Sequence, residues 1–128
     1  MDQLRVLVVD DEEELVDALV ERLNLRGIVA HGVTTGTAAL DRVESNGFDV
    51  VLLDLKMPAP GGLEVLAKLK ERWPRVAVIL LTGHGSVQDA EAGMRLGAFE
   101  YVMKPFDIDE LVGTMLRAAE AHGSHEHA

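Results

Sequence analysis

The sequence predicts a three-layer α/β sandwich built on a parallel sheet, and three observations carry that expectation. Short apolar runs alternate with helical stretches five times along the chain. Residues 50–53 and 76–81 are apolar at every position, the pattern of strands buried on both faces. Four of the runs end on polar side chains: 4–9 on Asp10-Asp11, 50–53 on Asp54, 76–81 on Thr82 and 101–103 on Lys104-Pro105. A strand of a doubly covered sheet tolerates a polar group only where it emerges, and open α/β sheets place their ligands at that carboxyl edge.

The elements follow in order. Residues 4–9 read as the first strand. From Glu12 to Arg26, Leu15, Leu19 and Leu23 recur every four positions with Val16 and Val20 beside them, an apolar helical stripe that Gly27 is placed to stop. Residues 28–33 make a short second strand, edge-like because His31 and Gly32 weaken it. Thr34 or Thr35 caps a helix running to about Ser45, and Asn46-Gly47 marks a turn. The run 48–53 is the most continuous and predicts the central strand. Pro58, Pro60, Gly61 and Gly62 form a loop before a helix over 63–73, which Pro74 closes. Strand four covers 76–81, and Thr82-Gly83-His84-Gly85 is a loop. Ser86 with Asp89 resembles a capping box for helix four, and Asp107 with Glu110 caps the last helix, which ends near His122. This is one domain over 3–122, with 123–128 read as a disordered polar tail.

Bulk properties narrow the function. A chain of 128 residues with 48% hydrophobic content holds one core, built from Val, Leu, Ile and Ala because aromatics are only 4%. A net charge of −10 repels phosphate backbones and argues against direct nucleic acid binding. There is no cysteine, no apolar run of membrane-spanning length and no signal-peptide pattern, which together lead us to expect a cytoplasmic protein without a membrane partner.

The strand ends carry the chemistry. If strands one and three are neighbours, Asp10, Asp11 and Asp54 converge, and clustered carboxylates repel one another unless a hard cation such as Mg²⁺ relieves them. An Asp-Asp pair is also an ordinary helix cap, with Glu12-Glu13-Glu14 beside it. Asp54, directly after Val-Val-Leu-Leu, is harder to read as decoration and has the position of a nucleophile. Thr82 offers a hydroxyl, and the Lys104 ammonium pairs with Asp54 or with phosphoryl oxygens. Lys104-Pro105 is a candidate cis peptide, since the chain must turn sharply to aim the lysine inward. His122, His125 and His127 lack the spacing of a metal site and read as a solvated tail.

The motifs Val8-Val9-Asp10-Asp11-Glu12, Leu52 to Pro58, Leu80-Leu81-Thr82-Gly83 and Tyr101 to Phe106, in this order, resemble the receiver domain of bacterial two-component response regulators over residues 3–120. The resemblance implies a doubly wound, flavodoxin-like (CheY-like) fold with the sheet in 2-1-3-4-5 order. It implies that Asp54 accepts a phosphoryl group from a sensor histidine kinase or phosphotransfer protein, in a two-component phosphorelay. Mg²⁺ would be held by Asp11, Asp54 and the Lys56 backbone carbonyl, with Asp10 acting largely through water. Thr82 and Lys104 would bind phosphoryl oxygens. Thr82 and Tyr101 would switch the surface of helix four, strand five and helix five, for a downstream protein, an effector domain or a phosphorylation-dependent homodimer. Lys56 and His84 resemble positions that tune phosphoryl lifetime. The expected role is a signalling switch, not an enzyme, although such a domain assists its own phosphotransfer and dephosphorylation.

Some features depart from the pattern or compete with it. Ala59-Pro60-Gly61-Gly62 replaces the family's usual bulky and polar residues, which removes a polar cap from helix three. Gly83-His84-Gly85 and the helix-weakening Gly93 suggest that the loop and helix four are mobile until phosphorylated. Motifs such as Met94-Arg95-Leu96-Gly97-Ala98 look like receivers that control transcription-factor effectors, consistent with the N-terminal part of a longer regulator. Two other functions fit the same residues. One is a Mg²⁺-dependent aspartyl-phosphate phosphohydrolase, disfavoured by Lys56 where its acid would stand. The other is an unphosphorylated adaptor, disfavoured by the complete polar set.

Overall fold

Ten elements alternate strictly: β1 (Arg5–Val9), α1 (Glu13–Leu25), β2 (Val29–Val33), α2 (Gly36–Ser45), β3 (Val50–Asp54), α3 (Gly62–Arg72), β4 (Ala77–Thr82), α4 (Val87–Arg95), β5 (Glu100–Met103) and α5 (Ile108–His127). The computed structural model describes residues 3–83 and 86–127, with side chains described through Ala121. All neighbouring strands pair in parallel, in the order β2-β1-β3-β4-β5. This is the doubly wound sheet that the sequence predicted.

Period-two alternation is hidden inside the continuous apolar runs. Along β3, Val51 and Leu53 face a cluster with Val43, Val65 and Leu69 of α2 and α3. Val50 and Leu52 face the opposite cluster, with Val16, Leu19 and Leu23 of α1 and Leu111 and Met115 of α5. Every residue of β3 and β4 is buried, so the two central strands carry no solvent-facing position at all. Burying a Val, Leu or Ile side chain stabilises by roughly 1.5–3 kcal/mol, and this double burial is what keeps strands of five and six residues in register.

Local signals set the helix ends. Thr35, not Thr34, caps α2, its hydroxyl accepting the Ala38 N–H at 3.1 Å. Gly27, at φ +82°, closes α1 in a Schellman arrangement: its N–H donates to Asn24 O and the Ile28 N–H to Leu23 O. Asp107 caps α5 by accepting the Asp109 N–H at 2.8 Å.

Two expectations are corrected and one is extended. Ser86 is the residue preceding α4, but its side chain makes no cap hydrogen bond, so there is no capping box with Asp89. Gly93 does more than weaken α4: a Cβ there would overlap the buried Leu80 Cδ1, so the glycine lets the helix approach the sheet. Thr82 is the last residue of β4 rather than the first of the loop, its O accepting the Lys104 N–H at 2.7 Å. The loop after β3 agrees with its reading, since Gly61 precedes α3 as its N-cap residue and offers no side-chain cap. The α5 backbone runs on to His127, past the expected end near His122. The side chains of His122, His125 and His127 lie outside the described residues, as do His84 and Gly85.

Candidate functional site

The switch in strand order places the carboxyl ends of β1 and β3 side by side, with β4 and β5 following. Asp10 continues β1 by one residue, its N–H donating to Val33 O at 3.3 Å. It is wholly buried, Oδ1 accepting the Glu12 N–H at 3.0 Å and Oδ2 accepting from Lys104 Nζ at 2.7 Å. Asp11 is exposed. Asp54 is the last residue of β3, paired with Leu81 of β4 and only 6% exposed. One carboxylate oxygen from each of Asp10, Asp11 and Asp54 lies within 4.8 Å of the others.

Lys104 reaches this cluster from the end of β5, and its peptide bond to Pro105 is cis. Its Nζ is 3.4 Å from Asp54 Oδ1, longer than its bond to Asp10. The expected pairing with Asp54 is therefore the weaker of two, and Asp10 is the lysine's principal counter-ion. Burial lowers the proton affinity of Lys104, but the Asp10 hydrogen bond and the charges of Asp54 and Asp10 outweigh it and leave the ammonium above its ordinary value. Asp54 is pushed the other way. Its own burial and then the charge of Asp10 raise it from 3.8 to about 6, against the opposing pull of Lys104 and the Lys56 backbone N–H.

Asp11, Asp54, Lys56, Thr82, Ser86 and Lys104 line one open cleft of about 260 Å³, with Asp10 buried behind it. Thr82 is 1% exposed, and its Oγ1 donates weakly to Gly83 O and Ser86 O, each at 3.4 Å. Tyr101 is half-buried on β5 opposite Leu80, packed against the α2–α3–α4 side of the core and away from the acids. Thus Asp10, Asp11, Asp54, Lys56, Thr82 and Lys104 gather, Tyr101 lies on β5 opposite Leu80 of β4, and His84 lies outside the described residues. Sequence reading missed Ser86 as a cleft residue because its position reads equally as a helix cap. It also missed the second cis bond, Ala59-Pro60.

The model of the response regulator receiver domain matches residues 6–116. The chain belongs to this family. The transcriptional regulatory protein YkoG of Bacillus subtilis, itself uncharacterised, is 36% identical over 97% of this chain and 54% of its own length. The regulatory protein AtoC of Escherichia coli is 38% identical over 91% of this chain and 25% of its own. The chain therefore spans about half or less of the curated relatives it is similar to. Among solved structures, a CheY-like receiver domain from Methanospirillum hungatei superposes with a TM-score of 0.90 at 26% identity, covering 97% of this chain and 99% of that one. NtrX from Brucella abortus gives 0.92 at 27% identity, with 98% and 29% covered. As a receiver, the chain is a signalling domain of two-component systems, and its structure gathers Asp10, Asp11 and Asp54 into one acidic cluster.

Proposed function

We propose that Asp54 is the phosphoacceptor of this receiver. One observation carries the reading: a nearly buried carboxylate at a strand end, within 4.8 Å of two further acids and 3.4 Å from a lysine ammonium. Three converging carboxylates, one of them with raised proton affinity, form a donor set that suits Mg²⁺. Asp11, Asp54 and the Lys56 carbonyl would hold it directly and Asp10 largely through water. Once bound, the cation neutralises charge on the transferring phosphoryl group.

The side chains divide the remaining work. An Asp54 oxygen attacks phosphorus of a phosphohistidine, the P–N bond breaks, and the electron pair leaves with the imidazole, which takes up a proton. Lys104 neutralises a phosphoryl oxygen, a shift of attention from Asp10 that needs movement of one flexible side chain. Thr82 donates its loosely held proton to another oxygen, and Tyr101 follows inward behind β4. The surface of α4, β5 and α5 then changes for a partner protein, an effector domain in the same polypeptide, or a second copy. The phosphoryl source is a sensor histidine kinase or phosphotransfer protein in the cytoplasm, and Lys56 and His84 tune the lifetime of the phosphoryl group. The functional unit is residues 3–122, and it assists its own phosphorylation and dephosphorylation without turning over an external substrate.

Beryllofluoride with Mg²⁺ tests this by backbone NMR on wild type and Asp54→Asn. Saturable shifts at Thr82, Tyr101 and α4 in wild type alone support the reading. No response in wild type, or equal responses in both, overturns it.

A further inference from the structure

Ser86 lines the same cleft as Asp54, Thr82 and Lys104, is 1% exposed, and its Oγ has no hydrogen-bond partner among the described residues. Buried hydroxyls left unpaired are uncommon and disfavour the state that contains them. This one is not spent on capping: at φ −116° and ψ 19°, Ser86 lies outside the extended region usual for a cap and makes no cap bond. Only its backbone is used: the N–H donates to Gly83 O at 3.2 Å, and the carbonyl accepts the Ala90 N–H at 3.0 Å and, weakly, Thr82 Oγ1 at 3.4 Å. Thr82 Oγ1 is within 3.4 Å of Gly83 O as well, so a single hydroxyl proton is shared between two distant acceptors.

A hydroxyl has one proton and two lone pairs. When a phosphoryl oxygen on Asp54 takes the Thr82 proton, Thr82 Oγ1 is left with lone pairs to offer and no donor facing them. Ser86 next to it has a proton and, among the described residues, no acceptor. We propose that Ser86 Oγ donates to Thr82 Oγ1 in the phosphorylated state, completing a relay from Ser86 through Thr82 to the phosphoryl oxygen. Ser86 is then a positioning residue for the switch hydroxyl, and this rests on Asp54 being the phosphoacceptor with Thr82 as a phosphoryl donor. Hydrogen bonds in a chain polarise one another, so the Ser86 bond strengthens the donation by Thr82. It also exchanges a weak carbonyl link between Thr82 and α4 for a side-chain link that exists only when the phosphoryl group is present.

The test is a titration of the full chain with beryllofluoride and Mg²⁺, for wild type, Ser86→Ala, Thr82→Ala and the double variant. Ser86→Ala weakens binding about tenfold in the wild-type background, the size of one ordinary hydrogen bond, and by less than about twofold where Thr82 is already alanine. Ser86→Thr, which keeps a hydroxyl, recovers most of the loss. Thermal melts without metal show Ser86→Ala folded and at least as stable as wild type, because an unpaired hydroxyl has been removed. Unchanged affinity in Ser86→Ala, or equal losses in both backgrounds, overturns the relay. Absence of binding by wild type would overturn the phosphoacceptor reading first, and the relay with it.

Discussion

Asp54 is held where ionisation is disfavoured, so replacing it with the near-isosteric amide stabilises the metal-free domain above neutral pH. Burial and the neighbouring Asp10 raise its pKa from 3.8 to about 6, with Lys104 already counted against them. At about 1.4 kcal/mol per pH unit, that displacement is worth about 3 kcal/mol. The unfolded chain releases the proton near 3.8 and the folded one near 6, so the carboxyl favours folding below about pH 4 and this contribution is lost as pH rises through 6. Asp54→Asn cannot ionise and loses nothing over that range. The stability difference, variant minus wild type, is therefore near zero at about pH 4 and reaches a plateau of about 2–3 kcal/mol above about pH 7. For a domain of this size that is roughly 10 °C in Tm. Urea unfolding in the presence of a chelator, repeated across this pH range, measures the difference directly. Parallel pH curves for the two proteins, or an amide variant less stable throughout, would refute the reasoning.

Other consequences follow from the same geometry. Mg²⁺ affinity measured by calorimetry falls about tenfold per unit below about pH 6, as protons compete for Asp54; an affinity flat through that range would remove Asp54 from the cation site. Lys104→Met strips the counter-ion from a wholly buried Asp10. Breaking a buried pair costs about 3–5 kcal/mol, reduced here to about 2–3 because the lysine keeps 21% of its side chain exposed. The loss is largest near pH 8, where Asp54 is also charged, and chemical denaturation at two pH values separates the cases. Gly62→Ala gains about 1 kcal/mol of helix propensity but sets a Cβ 2.6 Å from Asp54 O and 2.7 Å from Leu55 Cα, backbone atoms that cannot step aside. Overpacking wins, and a net loss of about 1–2 kcal/mol is expected in thermal or urea melts.

The layer architecture was legible because burial on both faces leaves a plain mark: Val50 to Leu53 and Val76 to Leu81 contain no polar residue, and polarity returns abruptly at Asp54 and Thr82. The strand order was not legible from those residues. Nothing local to Leu4–Val9 says that β1 lies between β2 and β3, and that order came from the family resemblance, which the pairing bears out. Among the site residues, their convergence follows once the order is known, but the partner of Lys104 does not. Asp10 and Asp54 are both carboxylates at neighbouring strand ends, and only the side-chain geometry makes Asp10 the nearer, at 2.7 Å against 3.4 Å. Ser86 was misread, and Gly93 read only in part, for a related reason. A serine before a helix and a glycine within one each have a sufficient local explanation, in capping and in flexibility. Their actual surroundings, the acidic cleft and the buried Leu80 side chain, are long-range facts.

The most direct test of Asp54 as phosphoacceptor is intact-mass spectrometry after incubation with Mg²⁺ and a small phosphoryl donor such as acetyl phosphate, with fragment mapping of the modified site. The account predicts one added phosphoryl group, located on Asp54, dependent on Mg²⁺ and absent in Asp54→Asn. A modification on another residue, or one that persists in Asp54→Asn at wild-type extent, would contradict it.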